Sequence, residues 1–561
     1  MSSFPWLLVI GAVPVVGAVV VAATPQVRKE AGREDAVRWV ALGVSLLTFA
    51  LTVGMAVGYH SSGDRFQFGR SYSWIPQFGV HFAVGIDGIA LVMILLTAFL
   101  VPVVVIASWR DDDSVPTVIP AVIPTGYEGA APHPDVAVVD VADVVDGDGR
   151  HSRPAGFFAS ILVLEAMLIG VFAATDLFLF YVFFEAMLIP MYFLIGRYGT
   201  GGAKASYAAM KFLLYSLAGG LVMLAAVIGV YVLSARTGSG SFLFSVLSDH
   251  NRLQMATSVQ LWLWFGFFIA FAIKAPLWPF HTWLPDAAAE APIGASILLV
   301  GVMDKVGTFG FLRWSLPLFP NASKTMAPLV MTLAVIGIIY GALLAIGQRD
   351  LKRLLAYTSI AHFGFIAVGI FAFTSQGMAG ATLYMVNHGF STGALFLIVG
   401  FLVARQNSSS ITDFGGVHKV APWLSGAFFI AGLSSLALPG TNSFVSEFLV
   451  LIGSFTTYRV FAIIATVGII FAAIYILLMY QRTMHGPLLE RNAGMRDLSW
   501  REAAALIPMV ALILGLGFFP KPALDVINPA VSSTQHDTGQ SDPVAPHPAA
   551  DSVAATEGTG K

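Results

Sequence analysis

Apolar runs about twenty residues long recur along almost the whole chain, separated by short polar segments. A helix of about 20 residues crosses the ~30 Å hydrocarbon core of a bilayer, so each such run predicts one membrane span. The pattern therefore predicts an all-α polytopic membrane protein of about fourteen spans, at residues 4–23, 36–58, 86–108, 157–174, 177–196, 211–234, 259–280, 292–314, 327–347, 353–374, 379–404, 421–453, 459–481 and 502–519.

The order of the spans suggests an internal repeat. The seventh and twelfth spans each contain prolines, at Pro276 and at Pro439, that predict a broken helix. Each is the fourth span in a unit of five, and because five is odd the second unit must be inverted relative to the first, as in many ion transporters. We divide the chain into a three-helix segment, a cytoplasmic loop, a first repeat, a second inverted repeat, a cytoplasmic loop with the last helix, and a disordered tail, at residues 1–108, 109–156, 157–314, 327–481, 482–529 and 530–561.

Composition supports the membrane class and excludes several kinds of site. The chain is 57% apolar and only 11% charged, whereas roughly a quarter of residues are charged in soluble proteins. Its formal net charge of −2 gives no reason to expect a nucleic-acid partner. With no Cys it cannot ligate an iron–sulfur cluster or form a disulfide. We find no nucleotide-binding loop and no metal-ligand cluster, and we expect no cofactor and no metal in this chain.

The distribution of positive charge predicts the orientation. Cytoplasmic loops carry the excess of Lys and Arg. Placing the first loop in the cytoplasm puts most of the 30 Lys and Arg residues on that side and both termini on the outer face. The positive residues of that loop are Arg28, Lys29, Arg33 and Arg38. Three lysines then remain inside spans, namely Lys211, Lys274 and Lys305.

Glu185 and Lys274 are the strongest functional candidates. A charged side chain at a helix centre costs about 2.5–3.5 kcal/mol on insertion scales, so each needs a partner or a water-filled cavity. Glu185 lies midway along the fifth span, and Lys274 directly precedes Ala275 and Pro276 at the predicted break. We predict that the two act as a charge pair in proton transfer. The alternatives are a static ion pair that joins two helices and a Glu185 that only bonds to a hydroxyl.

Other titratable residues occupy similar depths in the second half. Lys305 is central in the eighth span. Lys211 opens the sixth span, where it either takes part in proton transfer or reaches the membrane interface by snorkelling. A lone membrane His is often a packing residue. A series of titratable groups at one depth is instead what a lateral proton relay requires, and this series is completed by His362, His388 and Glu447.

Three aspartates remain to be placed. Asp87 and Asp286 fall near span ends or in loops, where helix capping or loop bonding is the expected role. Asp304 directly precedes Lys305 and points about 100° away from it around the helix. It is a further candidate residue.

Three segments together resemble the antiporter-like subunits of respiratory complex I, NADH-quinone oxidoreductase. They are FFEAMLIPMYFLIG around Glu185, IKAPLWPFHTWLPDAAAEAP around Lys274, and QRDLKRLLAYTSIAHFGF around His362, and the resemblance spans roughly residues 70–520. Glu447 stands where the L and N paralogues typically have Lys, and no long lateral helix follows the last spans. The chain therefore resembles the M-type members, the counterparts of mitochondrial subunit 4.

The resemblance implies a proton-translocating subunit of a bacterial cytoplasmic membrane. It implies that Glu185 and Lys274 form the charge pair of the first half-channel, that Lys305, His362 and His388 form the central axis, and that Glu447 is the terminal site. NADH, FMN, iron–sulfur clusters and quinone would belong to partner subunits, and the partners would include the paralogous subunits L and N. Asp304 departs from the family pattern, which has an apolar residue there, and we expect it either to tune Lys305 or to meet a neighbouring subunit.

Two other functions stay open at this point. A subunit of a multisubunit cation/proton antiporter would share the same spans and most of the same residues without a link to NADH. A structural membrane scaffold would hold buried charges that only pair, and neutralising them would harm assembly and leave transport unaffected.

Overall fold

The computed structural model describes residues 4–24, 31–109, 154–200, 202–249, 253 and 255–543. The chain is mostly helical, and thirteen helices of this described part are long and apolar enough to cross a membrane. Their ends lie close to the predicted limits in most cases. Hydropathy predicts them well because a backbone inside lipid must satisfy its own hydrogen bonds, and a helix does so within one segment.

We number the elements in chain order. The helices are α1 Trp6–Ala23, α2 Ala31–Val57, α3 Gly88–Ala107, α4 Pro154–Ala173, α5 Leu177–Ala186, α6 Leu188–Gly196, α7 Gly202–Arg236, α8 Phe244–Leu247, α9 Thr257–Lys274, α10 Trp283–Glu290, α11 Ile293–Leu318, α12 Pro320–Gly347, α13 Leu351–Ile370, α14 Ser375–Gln406, α15 Pro422–Ser435, α16 Asn442–Thr457, α17 Arg459–Met484, α18 Trp500–Phe518 and α19 Lys521–Asp537, and the strands are β1 Gln67–Ile75 and β2 Val80–Ile86.

The predicted twelfth span accounts for the difference between fourteen and thirteen. Its residues, 421–453, fall in α15 and α16, and each of these helices is too short to cross a membrane alone. The fifth span is also divided, since α5 and α6 are separated by a turn at Met187.

A β-hairpin corrects the all-α prediction. Strands β1 and β2 pair antiparallel between α2 and α3, with Tyr72 opposite Phe82. Gly79 in the connection has φ +61°, a left-handed backbone that glycine adopts without steric cost. The segment contains no apolar run long enough to span a bilayer, so hydropathy alone reads it as a loop.

The prediction of a disordered tail is wrong for its first residues. Helix α19 continues to Asp537, and Arg65 forms an ion pair with Asp537 at 2.5 Å. A Cβ added at Gly88 would lie 1.8 Å from the Val526 carbonyl oxygen, so α19 packs directly on the start of α3. Residues 544–561, and almost all of the predicted 109–156 loop, lie outside the described residues.

Helix α11 lies at the centre of the molecule. Every residue of its apolar window is buried, and α13 and α14 are nearly as enclosed, whereas α1, α2 and α18 are mostly exposed at the surface. Helix α11 contains two π-helical turns, Leu299–Met303 and Phe311–Ser315, of a kind found frequently at functional sites.

The chain interruptions after α9 and after α15 share one hydrogen-bond pattern. In each, the N–H of the first residue after the helix bonds to the carbonyl four residues before it. The N–H of the third residue bonds five residues back, and the N–H of the sixth residue bonds three residues back. The pairs, N–H to carbonyl, are Ala275 to Phe271, Leu277 to Ala272 and Phe280 to Leu277 in the first, and Leu436 to Gly432, Leu438 to Leu433 and Thr441 to Leu438 in the second.

A buried ion pair fastens α3 to α11. Asp87 caps α3 by accepting a hydrogen bond from the Ala90 N–H at 2.9 Å, which confirms its predicted capping role. Its carboxylate also lies 2.8 Å from Arg313, and both side chains are only 2% exposed. The Arg313 guanidinium is stacked over the Phe66 and Phe309 rings at 4.7 and 5.1 Å.

Asp87→Asn is expected to destabilise the protein strongly, because asparagine keeps the helix cap but leaves Arg313 buried and unpaired. Removing one partner of a buried ion pair costs about 3–5 kcal/mol. The control is Asp525→Asn, which removes an exposed pair with Lys521. Thermal unfolding of the detergent-solubilised protein should show a much larger loss for Asp87→Asn, and equal melting temperatures would contradict this.

Candidate functional site

Lys274 lies beside two aromatic rings in the first half of the chain, and Glu185 directly follows one of them, Phe184, in the sequence. Lys274 is the last residue of α9 and is 1% exposed, and its ammonium lies 5.2 Å from the Phe184 ring centre and 5.6 Å from that of Phe212. The two charged side chains interact electrostatically, but neither has a hydrogen-bond partner among the residues that the structure describes. They are therefore not in direct contact, in contrast to the alternative of a static ion pair.

Adjacent glycines bring helix α7 close to Glu185 and to helix α9, which ends at Lys274. A Cβ at Gly220 would lie 1.6 Å from Glu185 Oε1, and one at Gly219 would lie 3.1 Å from the Ala270 Cα of α9. Small residues of this kind let helices in a membrane approach closely. The sequence pair Gly219–Gly220 thus positions the Glu185 carboxylate directly against the α7 backbone.

Asp304 and Lys305 follow the first π turn of α11. Within this turn the Asp304 N–H bonds to the Leu299 carbonyl at 3.1 Å instead of the Val300 carbonyl expected in an α-helix. The Val300 carbonyl accepts a hydrogen bond from the Lys305 ammonium. Both Asp304 carboxylate oxygens are buried and without a hydrogen-bond partner in the described part of the chain.

Lys305 begins a series of close polar contacts in the second half. Its ammonium lies 2.7 Å from His388 Nδ1, and the His388 ring centre is 5.3 Å from that of His362. His362 Nδ1 lies 2.6 Å from the Tyr384 hydroxyl, and that hydroxyl donates to Glu447 Oε2 at 3.3 Å. The fold thus brings together four predicted residues in one series of polar side chains, which we call the polar chain. They are Lys305 of α11, His388 of α14, His362 of α13 and Glu447 of α16.

A cluster of small polar side chains surrounds the α15–α16 interruption. The Asn442 side-chain oxygen accepts hydrogen bonds from Ser434 at 2.6 Å and from Ser391 at 3.1 Å. Asn387 donates to the Asn442 carbonyl at 2.7 Å. Ser435, the last residue of α15, reaches His362 Nε2 at 3.3 Å. The interruption therefore contacts the polar chain directly.

Lys211 lies beside a polar cavity at the ends of α7, α10 and α13. Its ammonium pairs with Asp286 at 2.8 Å, and Asp286 also pairs with Arg353 at 2.8 Å. The prediction that Asp286 caps a helix or bonds within a loop is wrong, because its carboxylate joins three helices. The cavity measures about 560 Å³ and is lined by charged side chains including Lys204, Asp286, Glu290, Asp350 and Arg353.

Glu165 was missed by the sequence reasoning. It lies midway along α4 and is fully buried, and neither carboxylate oxygen has a hydrogen-bond partner among the residues described. Its position in an apolar span is the same signal that identified Glu185. Across the described ranges, no group of three or more His, Cys, Asp or Glu side chains is arranged to hold a metal.

The chain matches known proteins over nearly its whole length. A family model described as NADH:quinone oxidoreductase/Mrp antiporter, TM, matches residues 174–472. NADH-quinone oxidoreductase subunit M of Mycobacterium tuberculosis is 48% identical over 547 residues, covering 97% of this chain and 96% of the relative. This chain belongs to the subunit M family of NADH-quinone oxidoreductase. It is a multi-pass membrane protein.

Solved structures share this subunit M fold. A chain of respiratory complex I from Thermus thermophilus with bound NADH aligns with a TM-score of 0.79 and 28% identity, covering 95% of this chain and 100% of that one. A chain of the Mrp complex from Dietzia sp. DQ12-45-1b aligns with a TM-score of 0.76 and 19% identity, covering 95% and 98%. At that low identity the second likeness shows the fold alone.

Tyr384 is, like Glu165, a residue of the site that sequence reasoning missed. It connects His362 to Glu447, and it lies four residues before His388 on α14, so both face the same side of that helix. That spacing was the available signal. A tyrosine carries no charge at neutral pH and so creates no anomaly in a hydropathy pattern.

Gly220→Ala is expected to displace the Glu185 carboxylate without unfolding the protein, because the flexible end of the glutamate can move. The new methyl must push Oε1 from 1.6 Å to beyond about 3.0 Å. Gly229→Ala is the control on the same helix, since it meets only the tip of the Leu263 side chain at 2.5 Å. Electron cryo-microscopy of the assembled complex should show the carboxylate moved in Gly220→Ala alone. A carboxylate in its original position would contradict the packing described here.

Proposed function

We propose that this chain translocates protons across the bacterial cytoplasmic membrane as a membrane subunit of NADH-quinone oxidoreductase. Protons pass through a buried relay of Glu185, Lys274, Lys305, His388, His362 and Glu447, driven by quinone reduction elsewhere in the complex. Membership of the subunit M family supports the complex. The observation that carries the relay is the series of contacts between buried side chains from Lys305 to Glu447. Lys305 is hydrogen-bonded to His388, the His388 and His362 rings are 5.3 Å apart, and His362, Tyr384 and Glu447 are joined by hydrogen bonds.

The hydrogen bonds in this series have a consistent polarity. The Tyr384 hydroxyl has one proton, which it donates to Glu447, so it accepts from His362 Nδ1–H. His362 Nε2 then accepts from the Ser435 hydroxyl. A protonated Lys305 donates to His388 Nδ1, which leaves the His388 proton on Nε2. Within this series, the Tyr384 hydroxyl both donates, to Glu447, and accepts, from His362.

Two inverted five-span repeats would supply half-channels from opposite faces of the membrane. The matched hydrogen bonds after α9 and after α15 support this arrangement, since the same backbone pattern occurs in the fourth span of each unit. In that correspondence Lys274 and Ser435 are equivalent, because each is the last residue of its helix. Freed backbone groups at such interruptions lower the cost of charge at mid-membrane.

The polar cavity beside Lys211 is the proposed cytoplasmic entrance. Its lining carries both signs of charge and the Lys211–Asp286–Arg353 bridge. Lys211 is directly followed by Phe212, whose ring lies against the Lys274 ammonium, so the cavity is close to the first relay pair. With this face cytoplasmic, both termini lie on the outer side of the membrane, in agreement with the distribution of Lys and Arg.

The redox chemistry belongs to partner subunits in this proposal. A chain without Cys offers no thiolate ligands for iron–sulfur clusters. NADH, FMN, iron–sulfur clusters and quinone would bind to other subunits, and the paralogous subunits L and N would be neighbours in the membrane. The contribution of this chain is proton transfer coupled to their reaction.

A cation/proton antiporter subunit is the second candidate. The family model covers both classes in its description, and the fold is common to both. Identity favours complex I, because the chain is 48% identical to a subunit M over nearly full length and 19% identical to the Mrp chain. A structural scaffold is favoured less, since Glu185, Lys274 and Asp304 make no direct ion pair among the described residues.

Neutralising the first pair is expected to stop proton transfer in the assembled complex. Glu185→Gln and Lys274→Ala each remove one titratable group, and we expect at least about a tenfold loss of NADH-driven pumping, the scale of lost acid–base groups. Proton uptake into inverted membrane vesicles, followed with a pH-sensitive dye, measures this.

The matched controls are Glu490→Gln and Lys324→Ala, which change exposed residues. They should pump at the wild-type rate. Full pumping in both Glu185→Gln and Lys274→Ala, with normal amounts of assembled complex, would overturn the relay. Loss of assembly in every variant would favour the scaffold function.

Tyr384→Phe is expected to slow pumping about tenfold while leaving assembly intact, because it removes only the hydroxyl that joins His362 to Glu447. Tyr480→Phe is the control, since it also removes one hydroxyl hydrogen bond, to Ser425 at 2.9 Å, away from the relay. Both variants are compared by the same vesicle assay. Equal pumping rates in the two would exclude Tyr384 from the pathway.

A further inference from the structure

The proposed relay has a gap between its halves. Lys274 belongs to the first half and Lys305 to the second, and the contacts between described residues include no hydrogen bond that joins the two lysines. A proton must nevertheless pass from α9 to α11 for Glu185 and Glu447 to belong to one pathway. The residue that fills this gap should be titratable, buried, and close to both ammonium groups.

Asp304 has an unusual environment for a carboxylate. It is 0% exposed, and both of its oxygens are without hydrogen-bond partners in the described chain. A carboxylate is normally buried only with a partner that offsets the lost solvation. A purely structural aspartate in a helix would bond to nearby backbone N–H groups, as Asp87 does at the start of α3.

Backbone packing shows which neighbour Asp304 faces. Gly307, three residues further along, lies on the same face of α11. A Cβ there would lie 2.5 Å from the Phe271 carbonyl oxygen and 2.6 Å from the Ala275 nitrogen. These atoms form the end of α9, where Lys274 is located, so the Asp304 face of α11 is packed against that end.

Lys305 points in a different direction from the same helix. Adjacent residues are separated by about 100° around a helix axis, and the π turn frees the Val300 carbonyl to hold the Lys305 ammonium beside His388 of α14. Asp304 thus faces the first half and Lys305 the second. Asp304 interacts electrostatically with both Lys305 and Lys274.

We propose that Asp304 is the proton carrier that joins Lys274 to Lys305 and so connects the two half-channels. This rests on the proposed function. The Lys274 ammonium gives its proton to the Asp304 carboxylate, which leaves a neutral amine and a carboxylic acid. The acid then gives the proton to a neutral Lys305, which regenerates the carboxylate, and Lys305 passes it to His388 Nδ1.

Asp304→Asn tests the carrier because the amide keeps the size of the side chain and cannot carry a proton in this way. We expect at least about a tenfold loss of NADH-driven pumping in reconstituted complex. NADH oxidation by an artificial acceptor that does not require quinone should stay at the wild-type rate. Thr308→Val is the control one turn along α11, and it should pump normally.

Asp304→Glu distinguishes a proton carrier from a fixed countercharge at this position. It also provides the test if the Asp304→Asn variant does not assemble. It keeps the charge but moves the carboxyl, so a carrier should pump more slowly than wild type, with a larger solvent deuterium isotope effect. A fixed countercharge leaves both the rate and the isotope effect unchanged, and that result overturns the proposal. Wild-type pumping by assembled Asp304→Asn overturns it as well.

Glu185→Gln, measured in parallel, distinguishes this proposal from the relay itself. If Glu185→Gln and Lys274→Ala both pump fully, the proposed function fails. If Glu185→Gln is inactive while Asp304→Asn pumps at the wild-type rate, only the assignment of Asp304 fails.

Discussion

The energetic cost of a charge inside a bilayer governs the centre of this structure. A lone charged side chain at mid-membrane costs about 2.5–3.5 kcal/mol on insertion scales, yet α11 alone carries Asp304, Lys305 and Arg313. The fold meets this cost by enclosing α11 completely. Arg313 is paired with Asp87, Lys305 is bonded to a freed carbonyl and to a histidine, and Asp304 is held among groups with which it interacts only at a distance.

Glycine makes this enclosure possible at two points. Gly220 allows the Glu185 carboxylate to touch the α7 backbone, and Gly307 allows α11 to touch the end of α9. In lipid the hydrophobic effect does not drive helices together, so close van der Waals packing of this kind contributes much of the stability of helix association. The same contacts place the titratable groups of α5, α9 and α11 near one another.

The two halves of the polar chain differ in a way that fits proton transfer. In the second half, His362, Tyr384 and Glu447 are hydrogen-bonded to one another. In the first half, Glu185, Lys274 and Asp304 interact electrostatically without direct contact among the described residues. In the proposed relay, the hydrogen-bonded series would pass protons along it, whereas the separated charges of the first half would change partners. We therefore expect the switching step in the first half.

The sequence by itself determined the membrane class, most helix limits and the candidate residues. Apolar runs predict spans reliably because a lipid-exposed backbone has no partner except its own helix, and an ionisable residue within a run is visible from one chain alone. The β-hairpin and α19 were missed because neither contains a run long and apolar enough to span a membrane. The partner of each charge was decided by tertiary structure. Asp87 meets Arg313, Asp286 joins Lys211, and Tyr384 bridges His362 and Glu447 only because helices distant in sequence pack together, and hydropathy along one helix carries no information about its neighbours.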